Sequence, residues 1–299
     1  MTTTTRAPAR TLRPATVAIA VSVLLWASAF VAIRHLGDQV SPGPLTLGRC
    51  LVGSLVLGAV LLARRGWRPM SRADRPRLLA CGLLWFAGYN VALNAAEQRL
   101  DAGTSAMLVN VGPILIAVLA ALLLGEGFPR PLALGCAVAF AGVVVIAVAS
   151  SSAGVAGSDG WGVLLCLVAA VVYAAAVVLQ KPLLARTSAL QVTWVACTTG
   201  AVACLPFAPD LVHDLRAAPL SASGWVVYLG VAPTAIAFTT WAYALARSTA
   251  GRLGSTTYLV PPMTIGLGWL LLGEVPAALA FVGGGVCLLG VWITRRPTR

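Results

Sequence analysis

The sequence predicts an all-α membrane protein: ten transmembrane helices arranged as two inverted five-helix repeats around a central cavity. Three observations carry this prediction. Hydrophobic residues make up 59% of the 299 residues and charged residues only 10%, with a mean hydropathy of +0.89; a soluble domain carries about 25% charged residues. The pentapeptide Leu-Leu-Leu-Gly-Glu occurs twice, ending at Glu126 and at Glu274, 148 residues apart. Arginine and lysine are distributed unequally between alternate loops, as a membrane topology requires.

The duplication extends well beyond the pentapeptide. At the same offset Pro113 falls on Pro261, Gly135 on Gly283 and Gly142 on Gly290. At 147 residues, Trp26 falls on Tyr173, Arg34 on Lys181, Thr46 on Thr193, Cys50 on Cys197 and Gly53 on Gly200. A register that holds through prolines and charges marks two homologous halves, and in a membrane protein the site lies between them.

Taken in order, residues 1–15 are polar and basic and read as a cytoplasmic tail. The apolar run that follows lacks a well-placed small-residue cleavage site, so it reads as a retained helix rather than a signal peptide. About 20 apolar residues cross a bilayer. Such runs occupy 16–33, 43–63, 78–96, 104–124, 131–149, 161–180, 190–207, 224–246, 253–272 and 276–294. Pro42, Pro44, Pro129, Pro131 and Pro276 sit at the connectors, where helices stop and restart. The domains are therefore a first repeat at 16–150, an external linker at 151–160, a second repeat at 161–294 and a cytoplasmic tail at 295–299.

Of the 21 Lys and Arg, 17 fall on the side holding both termini; Arg34, Arg99 and Arg216 fall on the other, and Arg49 lies within a span. The positive-inside rule then puts both termini in the cytoplasm of a bacterial-type inner (plasma) membrane. Trp161 and Trp225 fall at the outer interface, where indoles favour the headgroup region. Five spans per repeat is odd, so the second half enters the membrane in the opposite sense.

Composition also excludes several classes. The net charge of +12 is clustered at the ends of apolar runs, where lipid headgroups and topology account for it, and no nucleic-acid partner is expected. Seven cysteines lie in apolar runs without a CxxC pair and imply neither a disulfide framework nor a metal site. There is no phosphate loop and no HExxH, and the two histidines, His35 and His213, fall in outer loops. No catalytic residue, metal or cofactor is expected. An intramembrane enzyme would need a nucleophile, a base or paired acids at membrane depth, and no such set is present.

Each half carries an early aromatic-small-small element (Trp26-Ala27-Ser28-Ala29-Phe30; Tyr173-Ala174-Ala175), a proline in its fourth span and the Gly-Glu that ends it. In this the chain resembles the drug/metabolite transporter superfamily, and within it the EamA-type ten-helix transporters, over about residues 16–294. The resemblance implies a ten-helix bundle with a central cavity. It also implies export or exchange of a small organic metabolite, often an amino acid or derivative. The partners implied are a small-molecule substrate and the lipid bilayer, with monomer and homodimer both open. A multidrug or nucleoside-type exporter is the alternative within transport. A non-transporting receptor or structural protein is the alternative outside it, and symmetric halves argue against that one. In one respect the chain departs from symmetry: Arg49 has Ala196 as its counterpart.

The candidate substrate-binding residues are Trp26, Ser28, Arg49, Tyr89, Asn90, Asn94, Asn110, Tyr173, Thr193, Trp241, Tyr243 and Tyr258. Amides in hydrocarbon need partners and so face the bundle interior; Asn90 and Asn94 share one helix face. As a set, aromatic and amide groups suit a zwitterion or a planar metabolite. Arg49 lies about 9 Å along its helix axis, placed either to attract a substrate carboxylate or to pair with Asp38, Glu97 or Asp101. Pro113 and Pro261 are candidate hinge or cavity-shaping residues. Glu126 and Glu274 end helices on opposite faces, either as gating contacts or as carboxylates in interfacial water. No carboxylate sits mid-span, Glu97 coming nearest, which favours facilitated export or exchange over a proton relay.

Overall fold

A computed structural model describes residues 14–100, 102–151, 160–272, 278–294 and 296. Among them every regular element is helical. The helices are α1 Pro14–Leu36, α2 Pro42–Ala63, α3 Arg75–Glu97, α4 Ala102–Val109, α5 Gly112–Leu123, α6 Arg130–Ser151 and α7 Gly160–Leu183. They continue with α8 Ala189–Ala203, α9 Ala208–Ala217, α10 Leu220–Leu245, α11 Ala250–Gly254, α12 Val260–Leu272 and α13 Ala278–Thr294.

Among the described residues five helices (α1, α2, α3, α7 and α10) are long and apolar enough to cross a membrane. The count is six if α8 and the segment Leu205–Ala217, bent by 54°, form one span. That is fewer than the ten predicted, and helix breaks account for two of those missing. The fourth apolar run breaks at Asn110 and Val111 into α4 and α5, and the ninth into α11, a 3-10 turn Ser255–Leu259 and α12. Pro113 and Pro261 lie in the first turns of α5 and α12, where a missing N–H costs nothing. They therefore start helices after a break rather than bend continuous ones. The predicted external segment after residue 207 holds α9, because Pro206 and Pro209 end one helix direction and open another. Leu62, Leu122 and Leu270 are 79%, 75% and 74% exposed. An outer surface of this kind is matched to lipid rather than to water.

The duplication is visible in the packing. α3 and α10 each contain a π-helical stretch, Gly82–Tyr89 and Gly230–Ile236. A Cβ at Gly82 would sit 2.6 Å from the Ala196 carbonyl, and one at Gly230 would sit 2.9 Å from the Arg49 carbonyl. Since Ala196 is the counterpart of Arg49, the two halves make the same close contact in exchanged roles. In the π-helical stretches side chains take up carbonyls: Asn90 Nδ2 donates to Trp85 O (2.9 Å) and Phe86 O (3.2 Å), and Thr234 Oγ1 donates to Leu229 O (2.7 Å). α6 and α13 run antiparallel, Gly135 meeting Gly290 and Thr294 while Gly142 meets Gly283 and Cys287. Small residues let the two backbones touch. The repeat-related Cys50 and Cys197 also meet, Cys197 Sγ donating to Cys50 O at 3.3 Å. All seven cysteines are buried and free.

Glu126 is not simply a carboxylate in interfacial water. Gly125, at φ +64, ends α5, and Glu126 then accepts the N–H of Ala250 (3.0 Å) and of Gly251 (3.3 Å) in the other half. It caps the N-terminus of α11, the end a helix dipole makes favourable for an anion. Glu126→Ala is expected to cost about 1 kcal/mol of stability, read as a lowered Tm in detergent; an unchanged Tm counts against the cap. Glu274 lies outside the described residues.

Candidate functional site

α1, α2 and α3 of the first half, α7 and α10 of the second, and the break between α4 and α5 converge on a cavity of ≈ 50 Å³. That is room for a few waters, so a larger ligand requires the walls to part.

Arg49 is the charged residue of its lining and is only 3% exposed. Its Nε donates to Thr234 Oγ1 at 3.0 Å. The Thr234 hydroxyl spends its own proton on Leu229 O, so its lone pairs are turned to the guanidinium. Among the described residues no other hydrogen bond and no ion pair is made by Arg49. The predicted carboxylate partners do not hold it: Glu97 lines a neighbouring void, while the Asp38 side chain and Asp101 lie outside what is described. A buried guanidinium carries five donors, and among the described residues one is used. The guanidinium is held at the α2–α10 contact, in a residue that lines the cavity.

Aromatic rings form the rest of the wall. Trp26 packs on Trp241 (centroids 4.8 Å apart) and Phe238 (5.3 Å). Trp85 packs on Phe238 (4.9 Å) and Tyr173 (5.5 Å). Tilted and edge-on ring pairs of this kind interlock more firmly than burial alone would make them. Three polar atoms at the cavity are buried without a partner: Trp26 Nε1, Tyr173 OH and Asn110 Oδ1. Asn110 Nδ2 is already committed to Ala106 O. Buried polar atoms are normally paired with protein or water, so a cluster of unpaired ones around a void marks a place for a polar ligand.

The structure brings six of the sequence candidates to this cavity: Trp26, Arg49, Tyr89, Asn90, Asn110 and Tyr173. The others lie elsewhere. Ser28 hydrogen-bonds Tyr228 OH (2.7 Å) and Leu25 O (2.8 Å). Asn94 is braced by Thr46 Oγ1 (3.0 Å) and Pro42 O (3.3 Å) beside the smaller void. Thr193 faces Phe238 O at 3.5 Å. Trp241 stands behind Trp26, Tyr243 lies under the Arg247 guanidinium, and Tyr258 packs with Cys136 and Cys287 in the α6–α13 contact. Trp85, Phe238 and Thr257 line the cavity without having been singled out. For Trp85 the signal was there, an indole in mid-span; for Phe238 it was only its place 148 residues after Asn90.

With this geometry in view, the chain matches the model of the EamA-like transporter family over residues 13–148 and again over 160–296. It is 39% identical to the "Probable terminal-alkyne amino-acid exporter" of Streptantibioticus cattleyicolor, across 94% of this chain and 93% of that one. It is 32% identical to the "Uncharacterized transporter YdfC" of Bacillus subtilis, across 95% and 92%. A crystal structure with 23% identity superposes with a TM-score of 0.74 over 94% of this chain and 96% of the other, a likeness of fold.

Proposed function

We propose, from the premise that this chain belongs to the EamA-like transporter family, that it exports an amino acid or close derivative by alternating access. In this reading residues 16–150 and 161–294 are two inverted five-span halves in an inner membrane, with both termini cytoplasmic. The broken helices α4–α5 and α11–α12 then serve as the fourth and ninth spans, irregular backbone being tolerated where it is buried in protein or lines a cavity.

The observation that carries the proposal is Arg49, pinned through Nε to Thr234 and lining the cavity with the rest of its guanidinium free among the described residues. A planar guanidinium matches a carboxylate with two parallel hydrogen bonds. The rings of Trp26, Trp85 and Phe238 offer an apolar, π-rich wall to the side chain. A relative named for a terminal-alkyne amino acid fits that combination of one anion-binding group and an apolar wall. In this reading the packed Trp26–Trp241–Phe238 cluster parts during each cycle.

The test is efflux from cells loaded with labelled amino acids, a terminal-alkyne amino acid and a nucleoside. Faster efflux of amino acids from expressing cells is expected. Efflux of the nucleoside alone selects the nucleoside-type alternative, and no difference from empty cells removes the transporter reading. A second expectation follows from Thr234. Thr234→Val removes the acceptor for Arg49 Nε, an effect of about 1.5–3 kcal/mol for a hydrogen bond to a charged group, and should lower efflux about tenfold or more. Thr234→Ser should restore it; equal loss in both variants would show that the hydroxyl is not what matters.

A further inference from the structure

Beside the cavity, sharing Ile33 as a wall, lies a void of ≈ 10 Å³ lined by Asn94 and Glu97 of α3 and by Pro42 of α2. This is the volume of one compact group. Both oxygens of Glu97 and Oδ1 of Asn94 are buried there without a hydrogen-bond partner, in residues 5% and 1% exposed. The orientation of the Asn94 amide follows from its neighbours: its nitrogen faces Pro42 O, which can only accept, so its oxygen is the atom left over. Three oxygens without a hydrogen-bond partner therefore lie at one small void, which Gln98 also lines.

Unpaired buried oxygens are costly when the void is empty, because buried polar atoms and buried charges both need partners. What it lacks is a compact cation with several donors. We infer that Glu97 and Asn94 form the ammonium-binding pole of the substrate site, Arg49 being the carboxylate-binding pole. This rests on the transporter reading above for the carboxylate at Arg49. Asn90, Asn94 and Glu97 follow one another at i, i+4 and i+7, along one face of α3. Asn90 lines the Arg49 cavity and the other two line the void, so the stripe joins the two poles. The second half has nothing equivalent: 148 residues on stand Phe238, Ala242 and Leu245. The Asn90–Asn94–Glu97 stripe thus belongs to the first half alone, while both halves contribute rings to the apolar wall. An ammonium and a free sodium ion share the chemistry that three oxygens would recognise, and the experiment separates them.

Binding to purified protein in nanodiscs, read by fluorescence of the cavity tryptophans, is compared for L-norvaline and for pentanoate, which lacks the ammonium. The wild type should prefer norvaline. Glu97→Gln should weaken norvaline at least tenfold and leave pentanoate within twofold, retained pentanoate binding showing that the variant is folded; Glu97→Asp should recover part of the loss. Equal effects on both ligands, or on neither, overturn the inference, as does a wild type that does not distinguish them. Norvaline affinity that requires sodium in the wild type but not in Glu97→Gln assigns the void to the free ion and overturns it too. Efflux without zwitterion preference would leave the transporter reading standing and remove this one, whereas selective binding without efflux would do the reverse.

Discussion

Arg49→Ala is expected to abolish amino-acid efflux while membrane expression stays normal. Hydrogen bonds to a charged group contribute about 1.5–3 kcal/mol each, and a bidentate carboxylate loses two of them, so initial rates should fall by two orders of magnitude or more. Folding should survive. The residue is 3% exposed and, among the described residues, makes one hydrogen bond, to Thr234, so removing it relieves a desolvation cost as it loses that contact. Arg49→Lys keeps the charge as a compact point and loses the fork; an intermediate rate is expected. Wild-type efflux in Arg49→Ala would sink the assignment of this residue to the substrate.

Gly290→Val is expected to prevent assembly of the bundle, whatever the substrate. A Cβ there would lie 2.3 Å from Ala139 N and 2.6 Å from its Cα, which is backbone and cannot rotate away. Overpacking in a core costs about 1–3 kcal/mol and sometimes more; a helix-to-helix backbone contact belongs at the upper end. Gly285, on the same helix, has open space where its Cβ would be, so Gly285→Val is the control. Size-exclusion profiles of the two variants should show loss of the monodisperse peak for Gly290→Val alone. Matching profiles would mean that the α6–α13 contact can open without cost.

These two positions also show what the sequence could reveal. Gly290 was legible as half of a repeated pair with Gly142, although only the packing shows the two helices meeting. Arg49 was legible because a charge inside an apolar run is rare and expensive. Its holder, Thr234, lies 185 residues away, a separation that no local pattern encodes. Rings were harder to sort than charges. Trp26 and Tyr173 line the cavity, while Trp241 and Tyr258 are buried elsewhere, because in a helical bundle an aromatic ring packs equally well against a void or a neighbour. Helix breaks were the least legible. Hydropathy over 104–124 is continuous, and the interruption at Asn110 and Val111 depends on the tertiary setting of Pro113. Glu126 marked the duplication, yet its role as a cap on α11 joins residues 124 apart.

The most direct measurement is counterflow. Proteoliposomes preloaded with unlabelled amino acid are diluted into a trace of the labelled compound, so that only a site exposed alternately to the two sides can concentrate label inside. The account predicts a transient overshoot with the wild type and none with Arg49→Ala. Label that equilibrates at the protein-free rate in wild-type vesicles would contradict it.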